Sequence, residues 1–227
     1  MKRVIWLLAL GLGRVAVLHA QVPPSPAELE RYTGLLAAAA RGDAPLIQKL
    51  TVSGESPDTQ DSYGRTPLHV AAYRGQHDAM RALVAAGADP NALEADRYDI
   101  VTIAAVADDL PTLRLALDLD ARATNVTSRW DGTALIAAAH LGHAEAVRIL
   151  IRAGAPLDHV NNLGWTALIE SIVLGDGGQR HQDTLQALVE AGANVKLADR
   201  NGRTPLELAR DRGYTAMVRV LEQAGRQ

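Results

Sequence analysis

The sequence predicts an all-α solenoid of stacked helix–turn–helix units. Three observations carry that prediction. A segment of about 33 residues recurs, with Thr66, Thr133, Thr166 and Thr204 at the same point of each copy. Each copy holds two apolar-periodic stretches separated by a glycine, at Gly75, Gly142, Gly175 or Gly213. The 227-residue chain has no phenylalanine and abundant alanine and leucine, so its core is built from small and branched aliphatics, as closely stacked helices require.

The elements follow in order. Residues 1–20 read as an export signal: Lys2 and Arg3, then the apolar run VIWLLALGLG from Val4 to Gly13, then Ala20 as a small residue before a cleavage site. Leu18 and Arg14 depart from the ideal pattern. An uncleaved anchor and a buried first helix are the competing readings, but a spanning helix needs about 20 apolar residues and this run breaks sooner. Residues 21–27 (QVPPSPA) read as a linker. Residues 28–60 form a degenerate capping unit, in which Thr33 stands one period before Thr66 and TGLLAAAARG keeps Leu35, Ala38, Ala39 and Gly42.

Residues 61–93 are the clearest copy, DSYGRTPLHVAAYRGQHDAMRALVAAGADPNAL. Thr66 caps the orphan amides of a helix and Pro67 fits its first turn. The small residues of the first helix let neighbours approach, and Met80, Leu83 and Val84 make the apolar stripe of the second. Residues 94–127 keep Ala104, Ala105, Leu113 and Leu117 but carry Asp99 in place of the threonine, and Asp108 and Asp120 where other copies have glycine. Residues 128–160 and 161–198 are further copies, and 199–227 is the C-terminal cap. From Thr166 to Thr204 is 38 residues, so five are extra. They fall between Gly175 and Asp183, and the run Asp176–Arg180 is expected to be a lengthened, mobile turn beside a binding groove.

Composition excludes several functions. The net charge is −3; without Lys2, Arg3 and Arg14 the remainder carries 20 basic against 26 acidic residues. That balance argues against a nucleic acid or an anionic membrane as partner. The absence of cysteine removes disulfides, zinc thiolates and cysteine nucleophiles. No HExxH pairing exists, and the histidines are unequally spaced, so a metal site is not expected. GDGG lacks the lysine and the strand–helix context of a phosphate loop. Ser171 stands where a small residue is needed in a helix contact. Glu170, in place of Val70 and Ala137 of other copies, needs a partner if buried, with Arg180 or a backbone amide of the inserted turn as candidates.

The motifs GRTPLHVAAYRG and LVAAGADPNA closely resemble the ankyrin repeat, over nearly everything from about residue 28 onwards. The resemblance implies an all-α ankyrin-repeat solenoid with hairpin-like loops, and a concave face that binds proteins through the loop tips and the ends of the inner helices. Carried over position by position, that face comprises Tyr63, Arg65, Tyr73 and Arg74, then Tyr98, then Arg129, Trp130 and His140. Trp165 and Leu174 follow, and finally Arg203 and Arg212. Five of the seven aromatics beyond residue 20 fall on these positions, and tyrosine, tryptophan and arginine are enriched at binding hot spots. The structural alternative is that they pack one hairpin on the next, most of all Trp165 in GWTAL. His69 in TPLH is implied to have a structural hydrogen-bond role. The whole also looks like exported bacterial ankyrin proteins.

The expected function is therefore non-catalytic binding of another protein by a periplasmic monomer, as a scaffold or protective partner with a stress-related role, without cofactor, nucleic acid or membrane. An immunity or inhibitor protein blocking a toxin or hydrolase is the alternative. A small-ligand binder or enzyme using the groove near Glu170, Asp176 and His181 is a third reading.

Overall fold

The computed structural model describes residues 21–226. The expected export signal lies outside the described residues. Helix α1 (Pro26–Arg31) precedes six helix pairs. These are α2 (Gly34–Arg41) with α3 (Ala44–Val52), α4 (Pro67–Tyr73) with α5 (His77–Ala85), and α6 (Ile100–Ala107) with α7 (Leu110–Asp118). Then come α8 (Ala134–Leu141) with α9 (Ala144–Arg152), α10 (Ala167–Val173) with α11 (Gln179–Glu190), and α12 (Pro205–Asp211) with α13 (Thr215–Ala224). The first members of the pairs pack on one another in series as an inner layer, and the second members form the outer layer, which packs most loosely around α7. Among the described residues there is no strand, only an isolated bridge between Thr127 and Gly132.

The recurring threonines set the inner layer. Thr66, Thr133, Thr166 and Thr204 each accept a hydrogen bond from the amide three residues on, capping α4, α8, α10 and α12. Alanines 38, 39, 71, 105, 138 and 139 on successive inner helices are fully buried, so the helices approach closely over one continuous aliphatic core.

The degenerate unit keeps this geometry with different residues. Asp99 caps α6 by accepting from Thr102 N at 2.8 Å. Asp108 ends the same helix in the left-handed region (φ 54°), where Gly142 stands for α8 (φ 69°). Asp120 (φ 63°) takes the place of Gly87 and Gly154. Aspartate is among the few L-residues that tolerate this conformation.

Thr33, one period before Thr66, makes no side-chain cap; the Glu55 carboxylate accepts from Leu35 N instead, at 3.2 Å. Two expectations need correction. Helix α1 begins at Pro26, inside the stretch read as linker, because Ser25 and Glu28 form a reciprocal capping box. The insertion is not a free lip. Gln179 and Arg180 open the outer helix, and α11 has 12 residues where α9 has 9, so three of the five extra residues go into helix length. The remaining turn is pinned: Tyr214 Oη donates to Gly175 O at 2.9 Å, and His181 meets Asp176 Oδ1 at 2.8 Å and His140 O at 2.9 Å. Gly177 (φ +71°) lies against the Tyr214 ring, where a β-carbon would come within 2.5 Å.

Candidate functional site

Each unit after the first is entered through a tight hairpin. Its closing bonds run from Asp61 N to Arg65 O, Glu94 N to Tyr98 O, Thr127 N to Gly132 O, Asn161 N to Trp165 O and Asp199 N to Arg203 O, at 2.8–3.1 Å. In four of them the first side chain also ties the tip; Glu94 Oε1 accepts from Tyr98 N at 3.0 Å. Oδ1 of Asp61, Asn161 and Asp199 accepts from the amides two and four residues on, at 2.8–3.0 Å, an Asx turn. Successive tips are joined main chain to main chain at 2.9 Å, Ala95 N to Tyr63 O, Ser128 N to Arg97 O and Asn162 N to Trp130 O. His69 locks the first step: its Nδ1 meets Thr66 Oγ1 at 2.8 Å and its Nε2 faces the carbonyls of Ala92 and Tyr98 at 3.1 Å. Burial holds the His69 imidazole below its ordinary pKa.

The hairpin from Thr127 to Gly132 is one residue longer than its neighbours, and Ser128 (φ 62°) and Asp131 (φ 51°) adopt left-handed backbone to accommodate it. It carries Trp130. With Tyr98 of the preceding hairpin, Val106 at the end of α6, Ile136, His140 and Leu141 of α8, and Glu170 of α10, Trp130 lines a cavity of about 250 Å³ on the inner face. Glu170 is 4% exposed. Its Oε1 accepts from Asn161 Nδ2 at 2.7 Å, and its Oε2 lies 3.4 Å from His140 Nδ1. The partner of Glu170 is thus neither Arg180 nor the inserted turn. Much of the wall surface is apolar or aromatic, and Thr102, Thr127, Ser128, Thr133, His140, Asn161 and Glu170 add polar groups, a mixture suited to a binding pocket. Trp130 Nε1 is buried without a hydrogen-bond partner. Burial raises the Tyr98 hydroxyl above the ordinary tyrosine pKa. Ser171 is fully buried and donates to Leu168 O at 2.8 Å.

Of the residues expected on the binding face, Tyr98, Trp130 and His140 come together here. Arg65 is corrected: it is 1% exposed. Its guanidinium donates to Asp61 Oδ2 at 2.7 Å, Glu28 Oε1 at 2.5 Å and Val22 O at 3.1 Å, and stacks 4.5 Å from the centroid of the exposed Tyr63 ring. Burial alone would raise the Asp61 carboxyl, but hydrogen bonds from Tyr32 and Arg65 outweigh it and hold it below the ordinary range. Tyr73 and Trp165 are half-buried against the core, and Leu174 is the half-buried cap residue of α10, outside the cavity. Arg129 pairs with Asp96, and Arg203 with Asp199 and Asp211 at 3.3 and 3.4 Å, while Arg74 and Arg212 are exposed.

The sequence reading missed Gln21, which also lines the cavity, and Asn161, which holds Glu170. The second was visible: a polar residue stands five positions before each cap at 61, 94, 161 and 199. Among the described residues no group of three or more acidic or histidine side chains is placed to hold a metal ion, and no helix is long and apolar enough to cross a membrane.

A family model for ankyrin repeats matches three times, over residues 12–94, 35–125 and 101–197. The ankyrin repeat protein YahD of Escherichia coli K12 is 36% identical over 191 residues, 84% of this chain and 94% of that protein. An ankyrin repeat domain from Acinetobacter baumannii AYE has a similar solved structure, with a TM-score of 0.78 and 43% identity over 84% of this chain and 97% of that one. A chain from the complex of a predatory endopeptidase of Bdellovibrio bacteriovorus with an immunity protein shares the fold alone, with a TM-score of 0.65 and 22% identity over 85% of this chain and 98% of that one.

Proposed function

This chain belongs to the ankyrin repeat family, and from that premise we propose that it binds one other protein through its inner face, with the cavity of Tyr98, Trp130 and His140 as the anchor point. Ankyrin repeats mediate protein–protein interaction. The observation that carries the reading is the cavity itself: two aromatics and three aliphatics around a held carboxyl, on rigid helices and a main-chain-linked row of hairpins. The protein acts as an exported, periplasmic scaffold or protective partner. The basic start, the apolar run to Gly13 and the small residue at Ala20 support export.

Capture from a periplasmic extract tests this. Wild type retains a defined partner that a Tyr98→Ala/Trp130→Ala variant of equal thermal stability loses. Equal capture by both contradicts the reading. An inhibitor blocking a hydrolase is the second reading, favoured by the lengthened hairpin that carries Trp130. It requires that the captured partner be a hydrolase whose activity falls on binding.

A further inference from the structure

Residues Gln21 to Ser25 lie against the same inner face. The carbonyl of Val22 accepts from Arg65 Nη1 at 3.1 Å, Pro24 is buried, and Gln21 lines the cavity beside Tyr98 and Trp130. The helix does not begin until Pro26, and two successive prolines favour extended polyproline backbone before it. Glu28, in the first turn of α1, takes another branch of the Arg65 guanidinium at 2.5 Å. One buried cation thus ties the first hairpin, helix α1 and the segment that reaches into the cavity.

The fit is incomplete. Gln21 Nε2 and Trp130 Nε1 are both buried donors without an acceptor. Unmade hydrogen bonds of buried groups oppose the arrangement that contains them. A better occupant supplies an acceptor. A second carboxylate beside Glu170 is disfavoured by like charge, so the complementary group is a neutral carbonyl.

We infer that the groove from Arg65 to Trp130 is a site for an extended, proline-containing peptide segment, and that the chain's own Gln21–Ser25 stretch fills it as an internal competitor. The inference rests on the inner face being the binding face. It names the chemistry of the segment the partner presents: extended, rich in proline, with a neutral carbonyl for the indole N–H. A segment arriving from outside binds only the fraction of molecules whose own stretch has left, so its apparent affinity is lowered by that fraction.

The absence of cysteine makes a direct test possible. In the full chain, Gln21→Cys carries a single bimane label, whose emission is quenched by contact with an indole. The expected result is strong quenching that Trp130→Phe relieves. In parallel, a blocked peptide of the sequence from Gln21 to Pro26 is titrated against wild type and a Gln21→Ala/Pro23→Gly/Pro24→Gly variant. The peptide binds the variant about tenfold more tightly, as expected if the competitor is loosened. A label indifferent to Trp130→Phe, or equal peptide affinities, overturns the inference. Neither readout uses the natural partner. Failed capture with a quenched label therefore sinks the protein-binding reading, and successful capture with an unquenched label sinks only the internal competitor.

Discussion

Asn161 Nδ2 donates to Glu170 Oε1 at 2.7 Å and closes the floor of the inner cavity. The two residues belong to one unit: Asn161 opens its hairpin and also holds the tip amides of Leu163 and Trp165, while Glu170 sits on the inner helix behind it. The hairpin and the cavity floor are thereby one hydrogen-bonded assembly. Both residues are buried, so removing one partner leaves the other unsatisfied.

Glu170→Ala is expected to destabilise the protein by about 1–3 kcal/mol, the penalty of a buried polar group left without its partner. Glu170→Gln keeps an acceptor for Asn161 and loses clearly less. Urea denaturation of the three proteins checks the order.

Arg65 and Arg203 occupy equivalent hairpin positions but differ in side-chain exposure, 1% against 47%. Arg65→Ala strands Asp61 and Glu28, and the expected loss is about 3–5 kcal/mol. Arg203→Ala, at a solvent-screened pair, is expected to lose less than about 1 kcal/mol. Similar losses for both would show that Arg65 is not the buried tie it is described as.

Asp108 and Asp120 stand in left-handed backbone, φ 54° and 63°. Replacing either with glycine relieves strain of about 1 kcal/mol. Each single variant is expected to melt about 2–4 °C higher for a chain of this size. A lower melting temperature for Asp108→Gly would mean that the carboxylate contributes more than the strain removes.

The pH dependence of stability carries the signature of His69. Its folded pKa is depressed by burial, so the fold favours the neutral ring. Stability from this residue is fully present above the unfolded value of about 6.5 and is lost as pH falls below it. Wild type is expected to weaken between pH 7 and pH 5 before most carboxylates titrate, whereas His69→Gln, less stable overall, shows a shallower slope there. Denaturation midpoints across that range give the comparison.

The fold was legible because its signals are local. Thr-Pro at a helix start, glycine at its end and a repeating alanine face fix the inner layer without reference to distant residues. Even the degenerate unit kept its place, since Asp99, Asp108 and Asp120 meet the same backbone demands. The site was legible only in part. Position within the repeat located Tyr98, Trp130 and His140, but not the burial of Arg65. That burial depends on Glu28 and Val22, 37 and 43 residues away. The insertion misled for a related reason. Its glycines suggested mobility, whereas Tyr214 from the following unit and His181 from its own helix hold it through contacts no local pattern encodes.

The most direct measurement is site-directed photo-crosslinking with a photo-reactive side chain placed in turn at Arg129, on the exposed hairpin tip beside the cavity, and at Arg148, on outer helix α9. If the inner face binds the partner, one protein crosslinks strongly from position 129, not from 148, and the adduct disappears with Tyr98→Ala. A partner that crosslinks equally or better from position 148, or that survives Tyr98→Ala undiminished, would contradict binding through the inner cavity.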